Sequence, residues 1–158
     1  MCDALKAAEY LLNAAHENET PINNSMLQKI LYIAQGYSLA LNDRPLFPED
    51  FIAWKCGPII PVVYFTYNGH LTEALPPPSA NPNIKPSEKD ILDLVHEEWI
   101  KSGYDSLREK RVELSTFTRG SEPWLCTYDN GEGYERIISK PRIHKYFASE
   151  VVSPQLQG

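Results

Sequence analysis

The stretch from Asn23 to Tyr64 constrains this chain most, because it joins its longest amphipathic helix to a short strand and a tight turn. Leu27, Ile30, Leu31, Ala34, Tyr37 and Leu41 recur at spacings of three and four, so a helical backbone gathers them into one apolar stripe. Ser25 and Gln28 have capping-box spacing, and Asn23 and Asn24 are equally suited to the cap. The helix is expected to end near Asn42-Asp43, whose short polar side chains compete for the backbone. Pro45 and Pro48 mark a loop, and Phe51–Trp54 reads as a short strand. Cys56-Gly57-Pro58 reads as a turn. Gly57 supplies backbone angles that other residues resist, and Pro58 suits the first turn of a helix carrying Ile59, Val62, Val63 and Tyr64.

The remaining elements follow from the same signals. Asp3 is placed to cap a first helix with Leu5, Ala8, Leu11, Leu12 and Ala15 inward, stopped by Thr20-Pro21. Five of the 13 prolines fall between Leu75 and Pro86, predicting an extended, exposed connection there. A fourth helix capped by Ser87 should bury Ile91, Leu94, Val95 and Trp99, with Leu92 alongside, and end at Gly103. A fifth, from about Ser106 to Phe117, should bury Leu107, Leu114 and Phe117 and show Arg108, Glu109 and Lys110 to solvent. Pro123-Trp124 opens a helical turn, and Asp129-Asn130-Gly131 marks a chain reversal. Tyr134–Ile138 could pair with Phe51–Trp54, and Pro141 starts a last helix. The expected fold is mainly α: five or six helices around one core, with a two- or three-stranded sheet. It occupies one domain over 1–150, followed by a flexible tail at 151–158.

Composition narrows the function. A net charge of −6 argues against broad binding to a phosphate backbone. Helix two offers only Lys29 with Gln28 and Gln35, too little for a DNA recognition helix. Cys2, Cys56 and Cys126 are too dispersed for a disulfide framework or a C-x-x-C metal site. No apolar run approaches a membrane span and the N-terminal residues lack a signal-peptide core, so a cytoplasmic protein is expected. His16, His70, His96 and His144 are scattered, and His96-Glu97 lacks the second histidine of H-E-x-x-H. Gly131-Glu132-Gly133 lacks a third glycine in a strand-to-helix context. Cys56 reads as a small buried residue at a strand end. No local motif marks a nucleophile. The expectation is a protein without enzymatic activity, metal or cofactor.

Two ordered groups of residues resemble a known family. Met26-Leu27-Gln28-Lys29-Ile30-Leu31-Tyr32, Gln35-Gly36-Tyr37, Leu46-Phe47, Ala53-Trp54 and Gly57-Pro58-Ile59-Ile60-Pro61-Val62-Val63-Tyr64 form the first. Leu114-Ser115, Thr118, Ser121-Glu122-Pro123-Trp124, Ile137-Ile138 and Tyr146-Phe147 form the second. Together they resemble the Panacea antitoxin domain, with Leu27, Gly57, Pro58, Pro123 and Trp124 as structural motif positions. The family commonly carries Thr-His where this chain has Thr118-Arg119. The resemblance implies a non-enzymatic antitoxin that neutralises a co-encoded toxin by direct contact, the toxin being encoded by an adjacent gene. In one branch of the family the domain instead delivers its toxin to a cellular protease, and the alternative reading is a phage or host regulatory protein of the same fold that binds something other than a toxin.

Candidate contact residues are Gln28, Lys29, Tyr32, Gln35, Trp54 and Arg119. The first four fall off the main stripe of helix two, and an aromatic beside long polar side chains is a common interface composition. Equally open is that Tyr32 packs against the second half of the chain while Lys29 pairs with a local carboxylate. Trp54 and Trp124 are either core residues or partner anchors, and for Trp54, on a strand's inner side, core is the better reading. Arg119 is a candidate because it replaces the family's histidine.

Overall fold

Asp3 opens the first helix by accepting the Lys6 N–H at 2.8 Å. The computed structural model describes residues 1–68, 73–78, 81–101 and 107–152. Helix α1 spans Ala4–Glu17 and α2 Asn24–Asn42. Of the three cap candidates for α2, Asn23 takes the position, its side chain accepting from Met26 N at 2.9 Å. The helix stops where expected, with Asp43 in the left-handed region at φ 54°.

Strands β1 (Phe51–Trp54), β2 (Gly57–Ile59) and β3 (Ile137–Ile138) form an antiparallel sheet in the order β2-β1-β3. Two expectations are corrected here. The residues after Cys56 continue as a strand, pairing Ile59 with Ile52 and Pro58 with Ala53, and helix α3 starts only at Pro61–Thr66. Pro58 is tolerated because β2 is an edge strand. Trp54 is not on the inner face. Alternation sends Phe51 and Ala53 to the core and leaves Ile52 and Trp54 half-buried on the opposite side.

Helix α4, Pro86–His96, is entered through Lys85 with Pro86 in its first turn, so Ser87 is not its cap. It buries Leu92 rather than Leu94, and continues as a wider π-helical turn over Glu97–Lys101. Gly103 lies outside the described residues. The proline-rich connection is anchored at both ends, because Leu75 and Ile84 are buried and Leu75 N donates to Ile22 O at 2.8 Å. Helices α5 (Leu107–Gly120), α6 (Glu122–Tyr128) and α7 (Lys140–Tyr146) complete the chain. Lys110, expected at the surface, is buried. After α7 a π-helical turn, Phe147–Val152, buries Phe147, Val151 and Val152, so ordered packing reaches into the expected tail. The result is a mainly helical α+β fold.

Helix α2 is the axle. From Met26 to Leu39 every residue is buried, with α1, α4, α5, α7 and the sheet around it. Gly36 lets the Phe147 ring lie directly on the helix; a methyl group there would overlap the ring. Tyr32 packs edge-on against both Phe51 and Phe147, with ring centroids 5.5 Å apart in each case.

Candidate protein-binding face

The burial of α2 on all sides decides the fate of its four candidate contacts. Gln28, Lys29, Tyr32 and Gln35 do not form an outer face, and each is taken up inside the fold. Gln28 accepts from Ile60 N at 2.9 Å and donates to Asn24 at 3.0 Å, while Asn24 donates to Tyr64 O. Gln35 accepts from Leu46 N at 2.8 Å and donates to Phe47 O at 2.9 Å. The two amides therefore hold the chain before β1 and after β2, satisfying backbone groups buried away from water.

Tyr32 joins the two motif groups. Its hydroxyl lies 2.8 Å from Ser121 Oγ, which itself donates to Thr118 O at 2.7 Å. Because the serine proton is used there, the tyrosine is the donor to Ser121. Burial pushes the Tyr32 hydroxyl well above the usual tyrosine range. Of the two readings left open for Tyr32, inward packing is the one observed. Lys29 follows neither. It is 4% exposed and bonds Ser25 Oγ at 3.0 Å and Ser25 O at 3.4 Å, and among the described residues no carboxylate is within ion-pair distance of it. Burial lowers its pKa, nearby Cys56 raises it, and Arg119 lowers it again.

Two sequence candidates remain at the surface, Trp54 and Arg119. Trp54 forms the centre of an aromatic cluster on the outer side of the sheet. Its ring centroid lies 4.9 Å from Tyr64, 6.4 Å from Phe65 and 6.5 Å from Tyr134. Phe65 and Tyr134 are 60% and 53% exposed, and Ile137, which pairs with Ile52 on the same face, is 58% exposed. The sequence pattern did not mark Phe65, Tyr134 or Ile137 as contact candidates. The available signal was alternation, since Ile137 and Ile138 cannot both point inward from one strand.

Arg119 sits at the C-terminal end of α5, its guanidinium 5.8 Å from the centre of the Trp124 ring. Trp124 also stacks on Tyr128 at 4.9 Å and donates its indole N–H to Trp54 O at 2.8 Å. Trp124 is thus a core residue that ties α6 to the hairpin. Gly57, at φ 130°, turns the hairpin just below Thr118 and Arg119. Cys56 beside it is exposed, not buried as its strand-end position suggested. Among the described residues no group of three or more His, Cys, Asp or Glu is placed to hold a metal ion, and no helix is long and apolar enough to cross a membrane.

The arrangement offers a surface for contact. Exposed rings and aliphatic side chains are set on a sheet, flanked by a cation and supported by buried hydrogen bonds. A family described as Antitoxin SocA-like, Panacea domain, matches residues 27–124. The protein named Antitoxin SocA from Caulobacter vibrioides (strain NA1000 / CB15N) is 44% identical over 96 residues, which cover 60% of this chain. The match spans 46% of that relative's length. No solved structure matches the chain. The family match takes in most of α2, the β1–β2 hairpin, α5 and the opening of α6, and on that ground the chain belongs to the family described as Antitoxin SocA-like, Panacea domain.

Proposed function

We propose that this protein is an antitoxin that neutralises a co-encoded toxin protein by direct contact, and that the aromatic face around Trp54 makes that contact. The observation that carries this reading is the exposure of Phe65, Tyr134 and Ile137 around a half-buried tryptophan. Grouped exposed apolar side chains of this kind mark interaction sites more often than solvated surface. Masking a toxin needs a firm complementary surface and no catalytic group. Membership of the SocA-like family supports a toxin as the class of partner.

The test is expression of the neighbouring gene in bacteria, alone and together with this protein, followed by co-purification. Relief of growth arrest with a recovered complex supports the reading. A harmless neighbour, or growth arrest that this protein leaves untouched, overturns it for that gene pair. Relief accompanied by disappearance of the toxin replaces masking with delivery to a protease.

A further inference from the structure

Helix α5 carries a second surface feature, distinct from the aromatic face. At 100° per residue, Arg108, Arg111, Ser115 and Arg119 fall within one arc of its circumference, and all three arginines are exposed. Arg108 and Arg119 stand roughly 16 Å apart along the axis. Glu109 and Glu113 lie about 100° and 140° further round, on the neighbouring arc. Among the described residues no carboxylate is within ion-pair distance of Arg108, Arg111 or Arg119. An open groove of about 510 Å3 separates Arg108, Arg111 and Ser115 from Asn23 and Ser25 at the start of α2. Lys29, one turn beyond Ser25 and bonded to its hydroxyl, lies behind the same edge.

A stripe of unpaired cations on a chain of net charge −6 runs against the trend of the whole surface. Like charges along one helix face repel, so their alignment costs stability unless something else compensates. We propose that the Arg108–Arg111–Arg119 stripe is a docking site for an acidic segment of a protein partner, with carboxylates spaced to meet the arginines. The proposal rests on the protein-binding reading above and extends it. Arg119 makes the connection physical: it packs over Trp124, whose indole bonds the backbone of Trp54, so one end of the stripe is linked to the strand that carries the aromatic face. Arginine forks pair bidentately with carboxylates, which gives such a contact register as well as attraction. Nucleic acid fits less well, because the net negative charge opposes an extended phosphate backbone beyond the stripe.

The experiment uses the full chain and a labelled alanine-based helical peptide of about 16 residues, bearing glutamates at the arginine spacing. Binding is followed by fluorescence anisotropy at about 50 mM salt, where screening is modest. The expected result is measurable binding that weakens with added salt. It should fall about tenfold or more in R108E/R111E. The K6E/K89E variant, with the same change in net charge, should bind as the parent does. A peptide of equal charge with shuffled glutamates should bind more weakly. Circular dichroism confirms that each variant is folded. Absence of peptide binding, equal loss in both variants, equal binding of the shuffled peptide, or tighter binding of single-stranded DNA would each overturn the proposal. Peptide binding without any toxin complex would remove only the antitoxin reading; a toxin complex indifferent to R108E/R111E would remove only the stripe.

Discussion

The indole N–H of Trp124 donates to the main-chain oxygen of Trp54 at 2.8 Å, so Trp124 holds Trp54 by its backbone, not by its side chain. The Trp54 ring is left unused by that bond. It remains available on the outer side of the sheet, among Tyr64, Phe65 and Tyr134.

Replacement W54A should therefore weaken partner binding by about 2 kcal/mol or more while the protein stays folded. Calorimetric titration of the purified toxin, with circular dichroism alongside, checks both halves. Unchanged affinity in a folded variant would take the aromatic face out of the interface.

Gln35 predicts the opposite behaviour. Q35A leaves Leu46 N and Phe47 O without their buried partner, and a lost partner in such a site costs about 1–3 kcal/mol per group. Unfolding in urea should show a loss of about 2–4 kcal/mol, allowing for water entry. A variant as stable as the parent would mean that the amide is dispensable.

For Tyr32 the expected effect depends on pH. Y32F removes the donor to Ser121 and should cost about 1 kcal/mol at neutral pH. Burial raises the folded pKa above the unfolded value of about 10, so the folded state holds the proton more tightly. That contribution is complete below pH 10 and is lost as the pH rises above it. Cys2, raised by burial to about 12, adds to the same alkaline loss. Urea midpoints measured from pH 8 to 11 should fall less steeply in Y32F than in the parent; parallel curves would refute the assignment.

At Gly36 the prediction is steric. G36A sets a methyl group into the Phe147 ring and should destabilise by about 1–3 kcal/mol, as overpacked cores do. Because the two residues share one space, G36A/F147A should lose less than the sum of the single changes. Thermal melts of the four proteins decide it, and strict additivity would show that the contact is not limiting.

Much of this fold was legible. The apolar stripe of α2 from Leu27 to Tyr37, the Asp3 cap, the stop at Asn42-Asp43 and the pairing of Phe51–Trp54 with the Ile137 region all follow from periodicity and capping chemistry, whereas Leu41, expected on that stripe, is exposed. What misled was the assumption that a helix has one buried side. Met26, Ile33 and Tyr32 lie off the stripe of Leu27, Ile30 and Leu31, and a helix apolar around most of its circumference is a central one. On such a helix, polar side chains find partners far away in sequence, as Gln28 does at Ile60 and Tyr32 at Ser121. Local pattern cannot reveal those partners. The hairpin was missed for a related reason. Pro58 read as a helix start, and only the sheet order shows it on an edge where its absent N–H is harmless.

The amides of Gln28 and Gln35 grip the main chain on either side of the sheet, at Ile60 and at Leu46 and Phe47. A surface held at both ends has little conformational freedom left to surrender when a partner arrives. Association then bears mainly the loss of rigid-body motion and the ordering of a few exposed side chains such as Phe65 and Tyr134. Two glutamines that touch no partner would in this way set how tightly one is held.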